Sequence, residues 1–118
     1  MRVDGRQMRP IWLDETSQTV MVIDQLQLPH RLVIAELTTV DKVIDAIQDM
    51  VVRGAPLIGA TGAYGVYVAA LNTRVSSGDE AFFLKECERI KSSRPTAVNL
   101  AWAIDTVLKE VSQHESMA

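Results

Sequence analysis

Cysteine, histidine and clustered basic residues are scarce in this chain of 118 residues, and each scarcity excludes a class of protein. The single cysteine, Cys87, allows no disulfide within the chain, which favours a reducing compartment. His30 and His114 are far apart and lack partners at ligand spacing, so we expect no metal site. The 12 Lys and Arg residues are scattered and the net charge is −3. Nucleic-acid-binding domains concentrate positive charge on one face, so we expect no nucleic-acid partner.

Secretion and membrane signals are also missing. Residues 1–6 contain no apolar core, so we expect no signal peptide. The longest uncharged run lies between Arg53 and Arg74, but it is rich in Gly and Ala and contains Pro56. We interpret this run as a buried helix of a globular bundle and not as a membrane span. We therefore expect a cytoplasmic protein with no membrane partner.

What the sequence does contain is the pattern of one small folded domain. Short β-branched and apolar runs predict strands at 9–14, 19–24 and 31–36, with a polar turn at 15–18 joining the first two. Apolar residues then recur at helical spacing from about residue 39 to about 115. The predicted fold is α+β, with a small antiparallel three-stranded sheet followed by a four-helix assembly in a single domain spanning residues 1–118.

Several residues predict where these helices begin and end. Thr38, with Asp41 three residues later, resembles a capping box at the start of the first helix. Gly54 is predicted to end that helix, and Pro56 suits the first turn of the next. Thr96 is predicted to cap the fourth helix.

Two features of the later helices predict how they pack. Gly62, Gly65 and Ala69 share one face of the second helix. Since each glycine costs a helix about 1 kcal/mol relative to alanine, this face predicts close packing against a neighbour. In the fourth helix, Val98 and Trp102 widen the apolar stripe, so we expect its first half to be buried on most sides.

An arginine stands just before a helix start at two places, in Arg53-Gly54-Ala55-Pro56 and in Arg94-Pro95-Thr96. Helix N-termini attract anions, and a guanidinium adds a bidentate donor suited to phosphate. Gly54 would let a ligand approach the backbone closely. These junctions are either a sugar-phosphate pocket or ordinary helix punctuation, in which an arginine stabilises the end of the preceding helix dipole.

Other polar residues point to no further chemistry. Cys87 lies on an apolar helical face, where thiols are usually inert. Asp105 is expected to face solvent, to cap another element or to pair with an arginine. The glycines at 59, 62 and 65 do not have the spacing of a dinucleotide fingerprint, and no strand precedes them. We therefore expect no cofactor.

Five segments resemble the N-terminal part of methylthioribose-1-phosphate isomerases, a family related to the regulatory subunits of translation initiation factor 2B. They are residues 26–30 (LQLPH), 36–40 (ELTTV), 49–59 (DMVVRGAPLIG), 63–65 (AYG) and 93–100 (SRPTAVNL). The similarity extends from about residue 10 to about residue 110. Its two longest segments contain the two arginine junctions.

The resemblance implies an aldose–ketose isomerase that converts 5-methylthioribose 1-phosphate to 5-methylthioribulose 1-phosphate in methionine salvage. It implies that Arg53, Gly54, Ala55 and Arg94 bind the substrate. It further implies a homodimer whose subunits add a C-terminal Rossmann-like domain carrying the catalytic cysteine and aspartate. No residue of this chain matches either of those two, so we expect no catalytic residue here and no activity from the chain alone.

Three alternatives remain open. The first is a non-enzymatic regulatory domain related to initiation factor 2B. The second is part of an isomerase that acts on ribose 1,5-bisphosphate, and the third is a free-standing helical interaction domain. Absence of a C-terminal domain predicts an exposed apolar surface on the helix that holds Trp102, and hence a tendency to associate.

Overall fold

The computed structural model describes the backbone of residues 2–3, 6–7, 9–28, 30–52, 54–76 and 80–117, and side chains within 9–28, 30–52, 54–73 and 80–110. A 3-10 turn at Gln25–Gln27 separates the second and third strands of the main sheet. The elements are β1 (Arg2–Val3), β2 (Arg6–Gln7), β3 (Ile11–Asp14), β4 (Thr19–Ile23), β5 (Ile34–Leu37), α1 (Val40–Gln48), α2 (Ala55–Ser76), α3 (Glu80–Ser92) and α4 (Val98–Met117).

The predicted three-stranded antiparallel sheet is confirmed, in the order β3-β4-β5. Ile11 pairs with Val22 and Val20 pairs with Leu37, and all four are buried. Since side chains alternate between the faces of a strand, this register directs one apolar face of the sheet toward the helices. The strands are shorter than predicted, and the two-residue ribbon of β1 and β2 was not predicted.

The polar turn at 15–18 is confirmed and is fastened at both ends. Gln18 adopts a left-handed φ of 58°, and its N–H donates to the Asp14 carbonyl at 2.7 Å. The Ser17 hydroxyl donates to the Asp14 carboxylate at 2.6 Å, which lowers the pKa of that carboxyl. Tyr67 of α2 donates its hydroxyl to the Gln18 carbonyl at 3.2 Å, so the hairpin is tied to the helical layer.

The N-cap of helix α1 lies one residue later than predicted. Thr39, not Thr38, is the N-cap, and its hydroxyl accepts from the Lys42 N–H at 3.2 Å. The amide of Asn72 in α2 holds this corner from the other side, donating to the Thr38 carbonyl and accepting from the Val40 N–H. These two hydrogen bonds come from a residue distant in the sequence, so the local capping pattern does not reveal them.

Gly54 does not end α1, as the sequence predicted. The helix stops at Gln48, and Met50 takes the left-handed conformation with φ 62°. Gly54 also has a left-handed φ, of 93°, but its carbonyl accepts from the Ile58 N–H at 2.9 Å. It therefore precedes and caps α2, while a non-glycine residue takes the position after α1 where glycine is usual.

The predicted close packing at the glycines of α2 is confirmed, and at Gly62 the neighbour is α4. A Cβ built on Gly62 would lie 2.6 Å from Leu100 Cδ1 and 3.2 Å from Ile104 Cγ1, and one on Gly59 would lie 3.3 Å from the Asn99 carbonyl oxygen. Gly59 lies against Asn99, and Gly62 lies against Leu100 and Ile104 further along α4. Residue numbers therefore rise together along the contact, and α2 and α4 run parallel. The interpretation of the uncharged run as a buried helix is confirmed.

The same helix packs on α1 and α3. A Cβ on Gly65 would lie 3.0 Å from Ile90 Cδ1 and 3.1 Å from Val43 Cγ1. Within the part of the chain that the structure describes, no helix combines the length and the apolar character needed to cross a membrane. The largest fully buried side chains of the core are Ile23, Ile47, Ile90, Leu100, Ile104, Val20, Val22, Val43, Val52, Thr61 and Cys87.

One side of α4 contradicts its predicted burial. The helix starts at Val98, two residues after the predicted cap Thr96. Leu100 and Ile104 are fully buried, but Val98 and Trp102 are 78% and 68% exposed. The first half of α4 is therefore covered on one side only, and the exposed apolar surface predicted on this helix is present.

Substitution at the closest helix contact should be destabilising. Gly62→Val places three carbons against the buried Leu100 and Ile104, and overpacking of this kind costs about 1–3 kcal/mol. We expect the free energy of unfolding, measured by urea denaturation, to fall by about 2 kcal/mol. Ala63→Val is the control, because Ala63 faces an open groove and should lose less than about 1 kcal/mol. Equal losses at both positions would contradict this account of α2 packing.

The buried thiol gives a test at high pH. Cys87 is 1% exposed, and burial, with Glu86 and Glu88 nearby, raises its pKa to about 11. An unfolded thiol titrates near about 8.5, so the stabilising contribution is complete below that pH and is lost as the pH rises toward 11. We expect the free energy of unfolding to fall between these values more steeply in the parent chain than in Cys87→Ala.

The same burial should protect Cys87 from reagents. At pH 8 we expect a disulfide reagent to label the native thiol at least about 100-fold more slowly than the urea-unfolded thiol, because the thiolate is the reactive form. Comparable labelling rates would show that Cys87 is an accessible, reactive group and not a core residue.

Candidate functional site

The parallel packing of α2 and α4 places their N-termini at the same end of the molecule. Ala55 and Pro56 from the first turn of α2 line one groove together with Val98 and Asn99 from the first turn of α4. Each helix N-terminus carries about half a positive charge on its free N–H groups. The starts of the two helices that follow the arginine junctions therefore line the same groove, and Arg94 itself is not among the residues that line it.

The first junction presents an open backbone. Gly54 and Ala55 are exposed, and a Cβ built on Gly54 would meet nothing within 4 Å. The left-handed φ of Gly54, and not crowding, therefore favours glycine there. Arg53, the predicted binding arginine, follows Val52 and precedes Gly54 in the sequence and lies outside the described residues.

The second junction carries Arg94 in the turn between α3 and α4. Arg94 is half-buried, and its carbonyl accepts from the Ala97 N–H at 2.9 Å. Its guanidinium makes no ion pair with any side chain that the structure describes, whereas Arg89 and Lys91 shortly before it are both paired with carboxylates. Arg94 is thus a cation beside a helix start that no described carboxylate neutralises.

Lys91, three residues before Arg94, is engaged in ion pairs. Lys91 Nζ lies 2.7 Å from Asp105 Oδ1 and 3.4 Å from Glu88 Oε1. The pKa of Lys91 is raised, chiefly by the hydrogen bond to Asp105. Of the roles considered for Asp105, solvent exposure is confirmed and pairing with an arginine is not, since its partner is a lysine. Sequence reasoning missed Lys91 because a contact between two helices across a turn leaves no local signal.

Two grooves flank Pro56, one on each side of α2. The groove between α2 and α4 has a volume of about 610 Å³, and Ala55 lines it. The groove between α2 and the sheet has a volume of about 450 Å³, and Gly54 lines it. The first is lined by Ala55, Pro56, Gly59, Ala60, Ala63, Val98, Asn99, Trp102 and Ala103. The second is lined by Pro10, Ile11, Gln25, Gly54, Pro56, Leu57 and Ala60.

These linings decide what the surface does chemically. None of the described side chains that line the two grooves is titratable, so these linings supply no general acid or base. Among the described residues, no three His, Cys, Asp or Glu side chains converge to hold a metal ion. Small and apolar side chains beside two helix N-termini suit binding of a molecule with an anionic end. The sequence analysis did not place Asn99 and Trp102 here, because their position depends on how α2 and α4 pack.

Comparisons with known proteins agree with one another. The methylthioribose-1-phosphate isomerase of Desulfosudis oleivorans is 58% identical over 103 residues, which are 87% of this chain and 28% of that protein. The solved structure of 5-methylthioribose 1-phosphate isomerase from Pyrococcus horikoshii superposes with a TM-score of 0.79 at 35% identity, covering 92% of this chain and 31% of that one.

A third similarity is to the solved structure of translation initiation factor eIF-2B, subunit delta, from A. fulgidus. Its TM-score is 0.75 at 38% identity, covering 84% of this chain and 29% of that one. The chain therefore spans less than a third of the length of each of these three relatives.

The resemblance to methylthioribose-1-phosphate isomerases that the motifs predicted is thus confirmed by whole-chain similarity. The Initiation factor 2 subunit family matches residues 51–118, which are more than half of the sequence and include both arginine junctions. The chain belongs to the Initiation factor 2 subunit family.

Proposed function

We propose that this chain is the N-terminal, substrate-binding portion of a methylthioribose-1-phosphate isomerase of methionine salvage. The observation that carries the proposal is the 58% identity to the Desulfosudis oleivorans isomerase across 87% of the chain. In this proposal Arg53, Gly54, Ala55 and Arg94 bind the sugar phosphate, and no residue of the chain is catalytic.

The geometry of the described junctions supports phosphate binding. The substrate's phosphate is an anion with several acceptor oxygens, and two parallel helices direct their positive ends toward the same surface. Gly54 leaves its backbone uncovered, and Arg94 has no described carboxylate partner to compete with a ligand. A guanidinium binds phosphate through two parallel hydrogen bonds, which fixes orientation as well as supplying affinity.

The reaction needs more than binding. Phosphorylation of C1 prevents the sugar ring from opening as a free hemiacetal would, so the enzyme must open the ring and move a hydrogen between C1 and C2. General acid–base groups and exclusion of water are required for those steps. Since no described residue that lines the grooves beside Pro56 is titratable, the proposal assigns binding and enclosure to this portion. The proposal assigns the acid–base chemistry to the remaining length of the protein.

The proposal includes a C-terminal Rossmann-like catalytic domain, assembly as a homodimer and a cytoplasmic location. Val98 and Trp102 support contact with further protein, because they lie close together on one side of α4 and are 78% and 68% exposed. Exposed apolar patches of this kind commonly mark interaction surfaces. A single buried cysteine, Cys87, is compatible with the reducing compartment in which such metabolism takes place.

A specific observation favours one alternative, a regulatory domain that works by protein contact. The subunit-delta structure from A. fulgidus is similar at 38% identity, slightly above the 35% of the Pyrococcus horikoshii isomerase structure. The alternative needs neither arginine junction for ligand binding. Measurement of substrate turnover therefore separates the two functions.

Loss of either arginine should weaken substrate use. In the full-length protein we expect Arg53→Ala and Arg94→Ala each to lower kcat/KM for 5-methylthioribose 1-phosphate by about 10- to 100-fold. Hydrogen bonds to charged groups contribute about 1.5–3 kcal/mol, which corresponds to that range. Coupled detection of the ketose product provides the measurement.

A control is available in Lys42. It is an exposed cation whose ammonium donates to the Thr38 hydroxyl at 3.0 Å, at the corner held by Asn72 of α2, so Lys42→Ala removes one positive charge at the opposite end of α2 from both junctions. We expect its kcat/KM to stay within about twofold of the parent value. If all three variants behave alike, the arginines act through general charge and the assignment of the site is wrong.

The 118-residue chain by itself should show no turnover of 5-methylthioribose 1-phosphate, because none of the described residues that line its candidate grooves is an acid or a base. Product formation by the purified chain would refute this. The intact mass of the protein from its source cell supplies the complementary result. A mass well above 13.1 kDa is expected, and a mass of 13.1 kDa would favour a binding or interaction role over the isomerase.

A further inference from the structure

An ion pair joins α3 to α4 around the turn that carries Arg94. Lys91, in the last turn of α3, lies 2.7 Å from the carboxylate of Asp105, the eighth residue of α4. Glu88 holds the same ammonium from within α3 at 3.4 Å. The pair therefore spans the turn, with one partner before Arg94 and the other after it.

The backbone is also held on each side of Arg94. The Ser93 hydroxyl and N–H donate to the carbonyl of the fully buried Ile90 at 2.5 and 3.1 Å. After the turn, the Ala97 N–H donates to the Arg94 carbonyl at 2.9 Å. These bonds fix the turn locally. Ile90 and Leu100, on either side of the turn, are fully buried against α2, and the Lys91–Asp105 pair adds a direct link between α3 and α4.

The charges at this end divide between two roles. Lys91 has two carboxylate partners, whereas Arg94, three residues later, has none among the described side chains. Asp105 and Glu88 thus restrain the lysine without neutralising the arginine. Lys91 is only 26% exposed at its side chain, which restricts the positions that its ammonium reaches if Asp105 is lost.

We propose that Lys91 and Asp105 form a positioning pair that holds the Arg94 turn in place to bind the phosphorylated substrate. Neither residue touches the substrate in this account. The inference rests on the proposed function, because it requires Arg94 to be a substrate-binding residue. An exposed ion pair contributes little to folding stability, so we expect the effect of losing this pair to appear in substrate binding.

The test uses the full-length protein and 5-methylthioribose 1-phosphate. Asp105→Asn keeps the size of the side chain and removes its charge, and we expect KM to rise about threefold with kcat unchanged, within the range that an exposed ion pair contributes. Asp105→Glu keeps a carboxylate within reach of Lys91 and should retain the parent KM. In an Arg94→Ala background, Asp105→Asn should cause no further increase.

Asp41→Asn is the matched control. Asp41 pairs with Arg89 and joins α1 to α3, so its loss removes a comparable exposed ion pair that does not border the Arg94 turn. We expect a similar small change in thermal stability and an unchanged KM. The inference is overturned if Asp105→Asn leaves KM unchanged, if it raises KM equally without Arg94, or if Asp41→Asn raises KM as much.

The outcomes also separate this inference from the proposed function. Turnover by the parent protein together with a loss in Arg94→Ala, but no effect in Asp105→Asn, overturns the positioning pair alone. Absence of turnover in the parent protein overturns the isomerase function, and the positioning pair with it.

Discussion

The close approach of α2 to its neighbours is the constraint on which the remaining structure depends. Where Gly62 faces Leu100 and Gly65 faces Ile90, there is no room for a methyl group without displacement. This proximity lets one helix contact α1, α3 and α4 at once and fill the centre of a small domain. Thr61, fully buried in the same helix, donates its hydroxyl to the Leu57 carbonyl at 2.8 Å. Its polar group therefore adds no unpaired atom to this dry interface.

Parallel packing of α2 and α4 has an electrostatic consequence. Two helix N-termini placed side by side bring like partial charges together, and Arg94 adds a full positive charge nearby. The described carboxylates of α3 and α4 that form ion pairs do so with Lys91 and Arg89, and none of them lines the groove between the two helix starts. An anion held between the two junctions would relieve this charge. Under the proposed function, the arrangement that makes the interior compact also provides the surface that binds phosphate.

The sequence predicted the features that depend on periodicity and composition, and missed those that depend on partners distant in sequence. Alternation and helical spacing predicted three strands and four helices. The glycine face predicted that α2 packs closely, but not that Gly62 meets α4 while Gly65 meets α1 and α3. The start of α1 was misplaced because Asn72, over thirty residues away, sets that corner. Gly54 was assigned to the wrong helix because Met50 takes a left-handed φ that propensity assigns to glycine.

The candidate site divides in the same way. Local motifs identified both arginine junctions and the family, but the sequence alone did not show that the junctions share one end of the molecule. That conclusion needs the direction in which α4 runs along α2. The binding roles of Arg53, Gly54, Ala55 and Arg94 stay predictions, and the described geometry supports them most directly at Gly54 and Arg94.

The exposed side of α4 shows what apolar periodicity means. Val98 and Trp102 were counted as inward-facing because a wide apolar stripe is typical of a helix with neighbours on more than one side. Within the described residues, α2 packs on Leu100 and Ile104, whereas Val98 and Trp102 stay in contact with solvent. The apolar stripe of α4 is therefore wider than the surface that the described neighbouring elements cover. Under the proposed function the remainder of the isomerase covers it. The groove beside Trp102 would then be enclosed at the end where the phosphate binds, which is the exclusion of water that the isomerisation requires.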